Sequence, residues 1–276
     1  MEYIYPAACQ MPPMDFVDLN RLFIPLKRDA DPTHEWGPYW GQKYGGWLNW
    51  NTLLDHWRVV LLAEALSGKT KEFQNRAAAL RQAGRLAFFA SIEDLADARF
   101  ESALNEVQRD AFRSWKEAGA GEAWFFLDSV DEARLNNKKL AAALQTFRDA
   151  ISSANLNRAH IVISCRVSDW RGKTDRESLQ NELPYTPTKE SAPTTDPDEV
   201  LLSPVFDRAP NVQRQRATER EPVPSELLVV QLAPLTREQQ QRMAEEAAIP
   251  NVQEFLTAVR QSGVETLCER PGTSSA

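Results

Sequence analysis

Arg58-Val59-Val60-Leu61-Leu62-Ala63-Glu64-Ala65-Leu66-Ser67-Gly68-Lys69-Thr70 is the stretch on which the fold turns. Arg58 to Leu62 is a short, β-branched, largely apolar run suited to a strand buried on both faces of a parallel sheet. Beyond it Phe73, Ala77 and Leu80 recur at helical spacing. Ala63 to Thr70 therefore joins a buried strand to a helix, which is the setting of a phosphate-binding loop. In such a loop successive backbone N–H groups and the helix N-terminus cradle oxyanions, a lysine reaches the outer phosphates and a hydroxyl ligates Mg2+. Ser67, Gly68, Lys69 and Thr70 supply these parts. Ala63 stands where a glycine is usual, and its methyl is a modest steric cost unless the backbone there has positive φ. Taken alone, the octapeptide also reads as a turn carrying a solvated lysine.

Outward from the loop the chain alternates. Leu86 to Ala90 (LAFFA) reads as a second buried strand, and Phe100, Leu104, Val107, Ala111 and Trp115 mark an amphipathic helix that Gly119 and Gly121 end. Ala123 to Leu127 (AWFFL) is a third strand, followed by a helix carrying Leu140, Leu144, Phe147 and Ile151. Residues 160–164 (HIVIS) form the fourth strand, and 227–232 (LLVVQL) the fifth. Strand and helix in alternation, with short connections, predict an α/β fold with a parallel sheet covered on both faces.

The flanks divide the chain. Residues 1–55 are an aromatic-rich N-terminal cap or linker; Trp36, Trp40, Trp47 and Trp50 lie there and Trp57 just beyond. They read as a packed cap or as a platform for stacking a ligand. Residues 56–232 are the core, with a polar, Pro-rich insertion at about 171–226 broken only by Val200, Leu201, Leu202, Val205 and Phe206. In 233–276 two helices open on capping-box patterns, Thr236 with Gln239 and Asn251 with Glu254, and Gly263 is placed to stop the second.

Two further groups carry chemistry. The third strand delivers Asp128, Asp131 and Glu132 at its C-terminal end, where open parallel sheets place their ligands. Asp128 is a candidate for holding Mg2+ through its water shell, and Glu132 or Asp131 for orienting or deprotonating an attacking water. The bland alternative is that these acids cap the next helix. Arg166 follows the fourth strand and emerges at the same edge, within reach of a γ-phosphate.

Composition narrows the function classes. The 276 residues carry a net charge of −7, which disfavours nucleic-acid binding through overall charge. No apolar run approaches the ~20 residues of a membrane span, and the N-terminus lacks the pattern of an export signal, so the expected location is the cytoplasm. Cys9, Cys165 and Cys268, with His34, His56 and His160, show no metal-ligand spacing, so neither a disulfide nor zinc is expected.

Together these residues resemble the STAND group of P-loop NTPases, and within it the NACHT-like ATPases of bacterial conflict and signalling systems. The resemblance covers about residues 55–271, and includes Asp128 followed by Asp131-Glu132, Arg166, and the lead into the lid at Leu232-Ala233-Pro234-Leu235. It implies five parallel strands in the order 5-1-4-3-2 and the start of a helical lid over the nucleotide. It further implies that Lys69 and Thr70 bind phosphate and magnesium, that Asp128 supports the metal, and that Arg166 senses the γ-phosphate. Pro271 corresponds to the lid proline near the adenine. Its relatives continue well beyond such a lid, so the resemblance implies a C-terminally truncated member. ATP with Mg2+, and self-association or protein partners in a larger assembly, are the expected ligands and partners. The competing readings are a non-hydrolysing interaction module with a decayed loop, and a metabolic kinase or motor-type ATPase.

Overall fold

The structure, a computed structural model, describes residues 16–26, 46–92, 95, 100–128, 140–186 and 227–262. Asp131, Glu132 and Pro271, together with Trp36, Trp40 and Gly263, lie outside them.

A mixed α/β fold is built on one sheet. Its strands are β1 (Phe23–Pro25), β2 (Arg58–Leu62), β3 (Leu86–Ser91), β4 (Ala123–Asp128), β5 (Ala159–Cys165) and β6 (Leu228–Leu232), in the spatial order β1-β6-β2-β5-β4-β3. β2 to β6 pair in parallel, and numbered among themselves they stand 5-1-4-3-2. The five-stranded expectation is corrected by β1, which adds a sixth, antiparallel strand through Phe23↔Leu232 and Pro25↔Val230. Its apolar Phe23 and Ile24 cover the edge that β6 would otherwise expose.

The central strands β2, β4 and β5 are buried at every position, which explains their unbroken apolar composition. Their residues alternate between two cores. Val60, Leu62, Phe125, Leu127, Ile161 and Ile163 face one core, with Phe100, Phe112 and Phe147. Val59, Leu61, Trp124, Phe126 and Val162 face the other, with Trp50 and Phe73.

The helices are α1 (Trp50–Leu54), α2 (Lys69–Gln82), α3 (Glu106–Ala118), α4 (Leu140–Ile151), α5 (Lys173–Glu182), α6 (Arg237–Glu246) and α7 (Val252–Gln261). Three differ from expectation. The helix expected from Phe100 to Trp115 is interrupted: Phe100–Ala103 is a 3-10 turn, and α3 starts afresh where the Asn105 side chain accepts from Gln108 N. In the polar stretch after 171 the chain forms α5, anchored by buried Leu179 and by a 2.6 Å ion pair from Arg148 to Glu182. At α7 no capping box forms, because Asn251 is left-handed (φ 54°) and its side chain caps no amide, whereas Thr236 and Gln239 make a complete box at α6.

At the N-terminal end of the sheet Arg58 is buried and saturated. Its Nε donates to Leu183 O, Nη1 to Trp57 O and Ala159 O, and Nη2 to Leu156 O and Pro184 O, at 2.6–3.0 Å. Burial lowers its pKa to about 10, so it stays charged at neutral pH. His160 lies between two indoles beside it, with ring centroids 3.9 Å from Trp57 and 4.6 Å from Trp124. Trp50 is buried as well, edge-on to Phe23, Phe73 and Phe126.

Candidate functional site

The C-terminal edge of the sheet brings three loops to one level. β2 and β5 end together at Leu62↔Cys165, and the next amide, Ala63 N, donates to Cys165 O at 3.1 Å. β4 ends at Asp128, opposite Ser91 of β3. Strand alternation turns Asp128 and Ser164 to the face that α2 covers, since their neighbours Leu127 and Ile163 belong to the opposite core.

The strand-to-helix loop is built by two left-handed residues. Gly68 has φ 85°, a conformation glycine adopts without steric cost, and begins α2 with no side-chain cap on the helix amides. Leu66 has φ 60° and is 64% exposed, an uncommon conformation for a non-glycine residue. Ala63 is not among the positive-φ residues, and its buried methyl packs with Leu61 and Phe73. The alanine in place of the usual glycine therefore carries no backbone strain.

Lys69 is buried, and its ammonium donates at 3.2 Å to each of two loop carbonyls, Ala63 O and Glu64 O. Thr70 follows on the first turn of α2. Its hydroxyl donates to Asp128 Oδ2 at 2.5 Å, while the Ser164 hydroxyl donates to Asp128 Oδ1. Asp128 is 3% exposed and thus holds a buried carboxylate whose two oxygens are both hydrogen-bonded. Such a group persists in the interior because charge-assisted hydrogen bonds offset its desolvation. Arg166 comes immediately after β5, half-buried, at the start of the 3-10 turn Val167–Asp169. Lys69, Thr70, Asp128 and Arg166 thus share one edge, with Thr70 and Asp128 in direct contact.

Three participants lacked a motif signal. Ser164 was visible only as a polar residue inside HIVIS. Arg21 comes from the N-terminal segment: it is 2% exposed and donates through Nη1 to Ser67 O (3.2 Å) and through Nη2 to Ala233 O (3.0 Å). Burial lowers its pKa to about 10, against the opposing field of Glu72. Glu72, buried on α2, accepts from Trp50 Nε1 at 2.9 Å; burial pushes its carboxyl up, and the Trp50 hydrogen bond and nearby Arg21 and Arg76 oppose the shift.

The donor set fits a magnesium–nucleotide complex. Mg2+ takes few protein oxygens, commonly one or two carboxylates or a hydroxyl, with the rest from phosphate and water. Among the described residues no cluster of three or more His, Cys, Asp or Glu forms, and Thr70 with Asp128 matches the sparser requirement. The Ser67 hydroxyl is buried in the loop with no partner among the described residues, a polar atom left over for a ligand or water. A cavity of about 210 Å3 lies at the opposite end of β2 and β5, lined by Arg58, Leu179, Leu183 and Tyr185 among others. The Arg58 donors are already committed to carbonyls, so it lacks a free cation for an anionic ligand.

No protein-family model matches the chain, and no curated protein does. Among solved structures, the cytoplasmic domain of EssC is a neighbour at 17% identity and a TM-score of 0.27, covering 84% of this chain and 51% of that one. The chain spans about half the length of that structure, and a likeness this low adds nothing to the geometry. Among the described residues no helix is long and apolar enough to cross a membrane.

Proposed function

We propose that the chain binds ATP with Mg2+ at the loop from Ala63 to Thr70 and belongs with the NACHT-like, STAND-type switch ATPases. The observation that carries this reading is the 2.5 Å hydrogen bond from the Thr70 hydroxyl to buried Asp128, which joins the helix after the loop to a neighbouring strand end. A solvated lysine in a chance turn requires no such pairing.

Each residue has a part in this reading. The loop amides and the Lys69 ammonium hold the phosphates, using the N-terminus of α2 as the positive end of its dipole. Thr70 and Asp128 hold the metal, and Ser164 fixes the Asp128 carboxylate. When bound, Mg2+ neutralises phosphate charge. Glu132 or Asp131, a few residues past β4, orients the attacking water, and Arg166 meets the γ-phosphate. Hydrolysis is slow and resets the switch; ATP and ADP favour different positions of α6 and α7, which governs assembly with copies of the chain or a protein partner in the cytoplasm.

Titration with ATP, ADP and GTP, each with Mg2+ and with chelator, tests this. Magnesium-dependent binding that favours adenine nucleotides is expected. Binding that ignores magnesium would remove the role given to Thr70 and Asp128.

A further inference from the structure

The segment 17–22 touches both the phosphate loop and the first C-terminal helix, and several hydrogen bonds, an ion pair and an apolar contact tie it down. Arg21 spans Ser67 O in the loop and Ala233 O at the end of β6, positions 46 and 212 residues away in sequence. Leu22 O accepts from Ala233 N at 2.9 Å. From α6, Gln239 Nε2 donates to Leu19 O (2.8 Å) and Asn20 O (3.0 Å), and Leu19 packs with Leu235 and Met243. On the other side Asp18 pairs with Arg76 of α2 at 2.9 Å. The segment is therefore a strut between α2 with its loop and α6.

Arg21 is the centre of that strut. A planar guanidinium can donate in two directions at once, which a lysine ammonium cannot reproduce in fixed geometry. Buried carbonyls need partners, so the Ser67 peptide orientation and the Ala233 orientation are set by one rigid group. A loop whose Ser67 peptide turns to meet a phosphate must move Arg21, and with it Ala233 and the start of α6.

Resting on the nucleotide reading above, we infer that Arg21 is a positioning residue that couples the phosphate loop to α6. It touches no phosphate itself; it reports the loop's state to the C-terminal helices through Ser67 O and Ala233 O.

Amide hydrogen exchange on the full chain, with and without Mg2+ and ATP, tests the coupling. In the unaltered chain, nucleotide slows exchange both in 66–72 and in 237–246. In Arg21→Met the loop keeps its nucleotide protection and α6 loses it, while the donor missing from the free and the bound chain alike lowers unfolding stability and not ATP affinity. Arg21→Lys restores part of the stability but not the α6 response. Gln239→Glu provides a second variant if Arg21→Met does not fold: it keeps the acceptor for Thr236 N and loses the donors to Leu19 O and Asn20 O. It should also silence α6 while leaving loop protection. Nucleotide protection of α6 that survives in a folded, ATP-binding Arg21→Met or Gln239→Glu chain overturns the inference and leaves the nucleotide reading standing. If the unaltered chain shows no ATP binding at all, the nucleotide reading fails and takes this inference with it.

Discussion

Thr70 Oγ1 donates to Asp128 Oδ2 across 2.5 Å, although the two residues are 58 positions apart. The contact joins the first turn of α2 to the end of β4. Thr70→Ala is expected to lower stability in urea by about 1–3 kcal/mol, because it leaves one oxygen of buried Asp128 without its donor, and to lower ATP affinity in Mg2+ by about tenfold or more. Thr70→Ser should retain binding. Calorimetry with and without chelator separates the two, since the loss should appear only with the metal present.

Leu66 holds a left-handed conformation at the exposed tip of the loop. An L-residue there is strained by about 1–2 kcal/mol, whereas glycine is not. Glycine also has more freedom to lose on folding, which offsets part of the relief. Leu66→Gly should therefore leave unfolding stability unchanged or raise it by up to about 1 kcal/mol, and Leu66→Val should lower it by about 1 kcal/mol. Urea unfolding should place glycine level with or above leucine, and valine below both.

Arg58 anchors the far end of the sheet through five backbone carbonyls. A lysine keeps the charge but cannot present the guanidinium fork. Arg58→Lys is expected to cost about 2–4 kcal/mol in urea unfolding by leaving buried carbonyls without donors. A change under about 1 kcal/mol would show that water replaces the lost donors.

His160 gives stability a pH dependence. Burial between Trp57 and Trp124 pulls its pKa below the usual 6.5; the His56 carbonyl and Glu122 oppose this, and Arg58 adds to it. The folded state thus binds its proton later than the unfolded state does. The contribution is complete above about pH 6.5 and is lost as pH falls from there toward the folded value. His160→Phe, which keeps an aromatic ring in the stack, should flatten the decline in stability between about pH 7.5 and about pH 5.

Buried strands were legible because both faces demand apolar side chains. Arg58–Leu62, Ala123–Asp128 and Ala159–Cys165 stand within a residue or so of where their composition placed them. β1 was not legible: three residues at a sheet edge leave no periodicity, and only Phe23 and Ile24 hint at it. α5 was hidden because its mean composition is polar and it is held by a few residues, such as Leu179. At the site, Lys69, Thr70 and Asp128 were readable from local spacing. Ser164 and Arg21 were not, because what matters about them is the carboxylate or carbonyl they reach across the fold.

Calorimetric titration of ATP with Mg2+ into the unaltered chain and into Lys69→Ala bears most directly on the proposed nucleotide site. The loop geometry predicts binding by the unaltered chain and a loss of at least about a hundredfold in the variant, as expected when a charged phosphate partner is removed. Equal affinity in the two, with both chains folded, would contradict it.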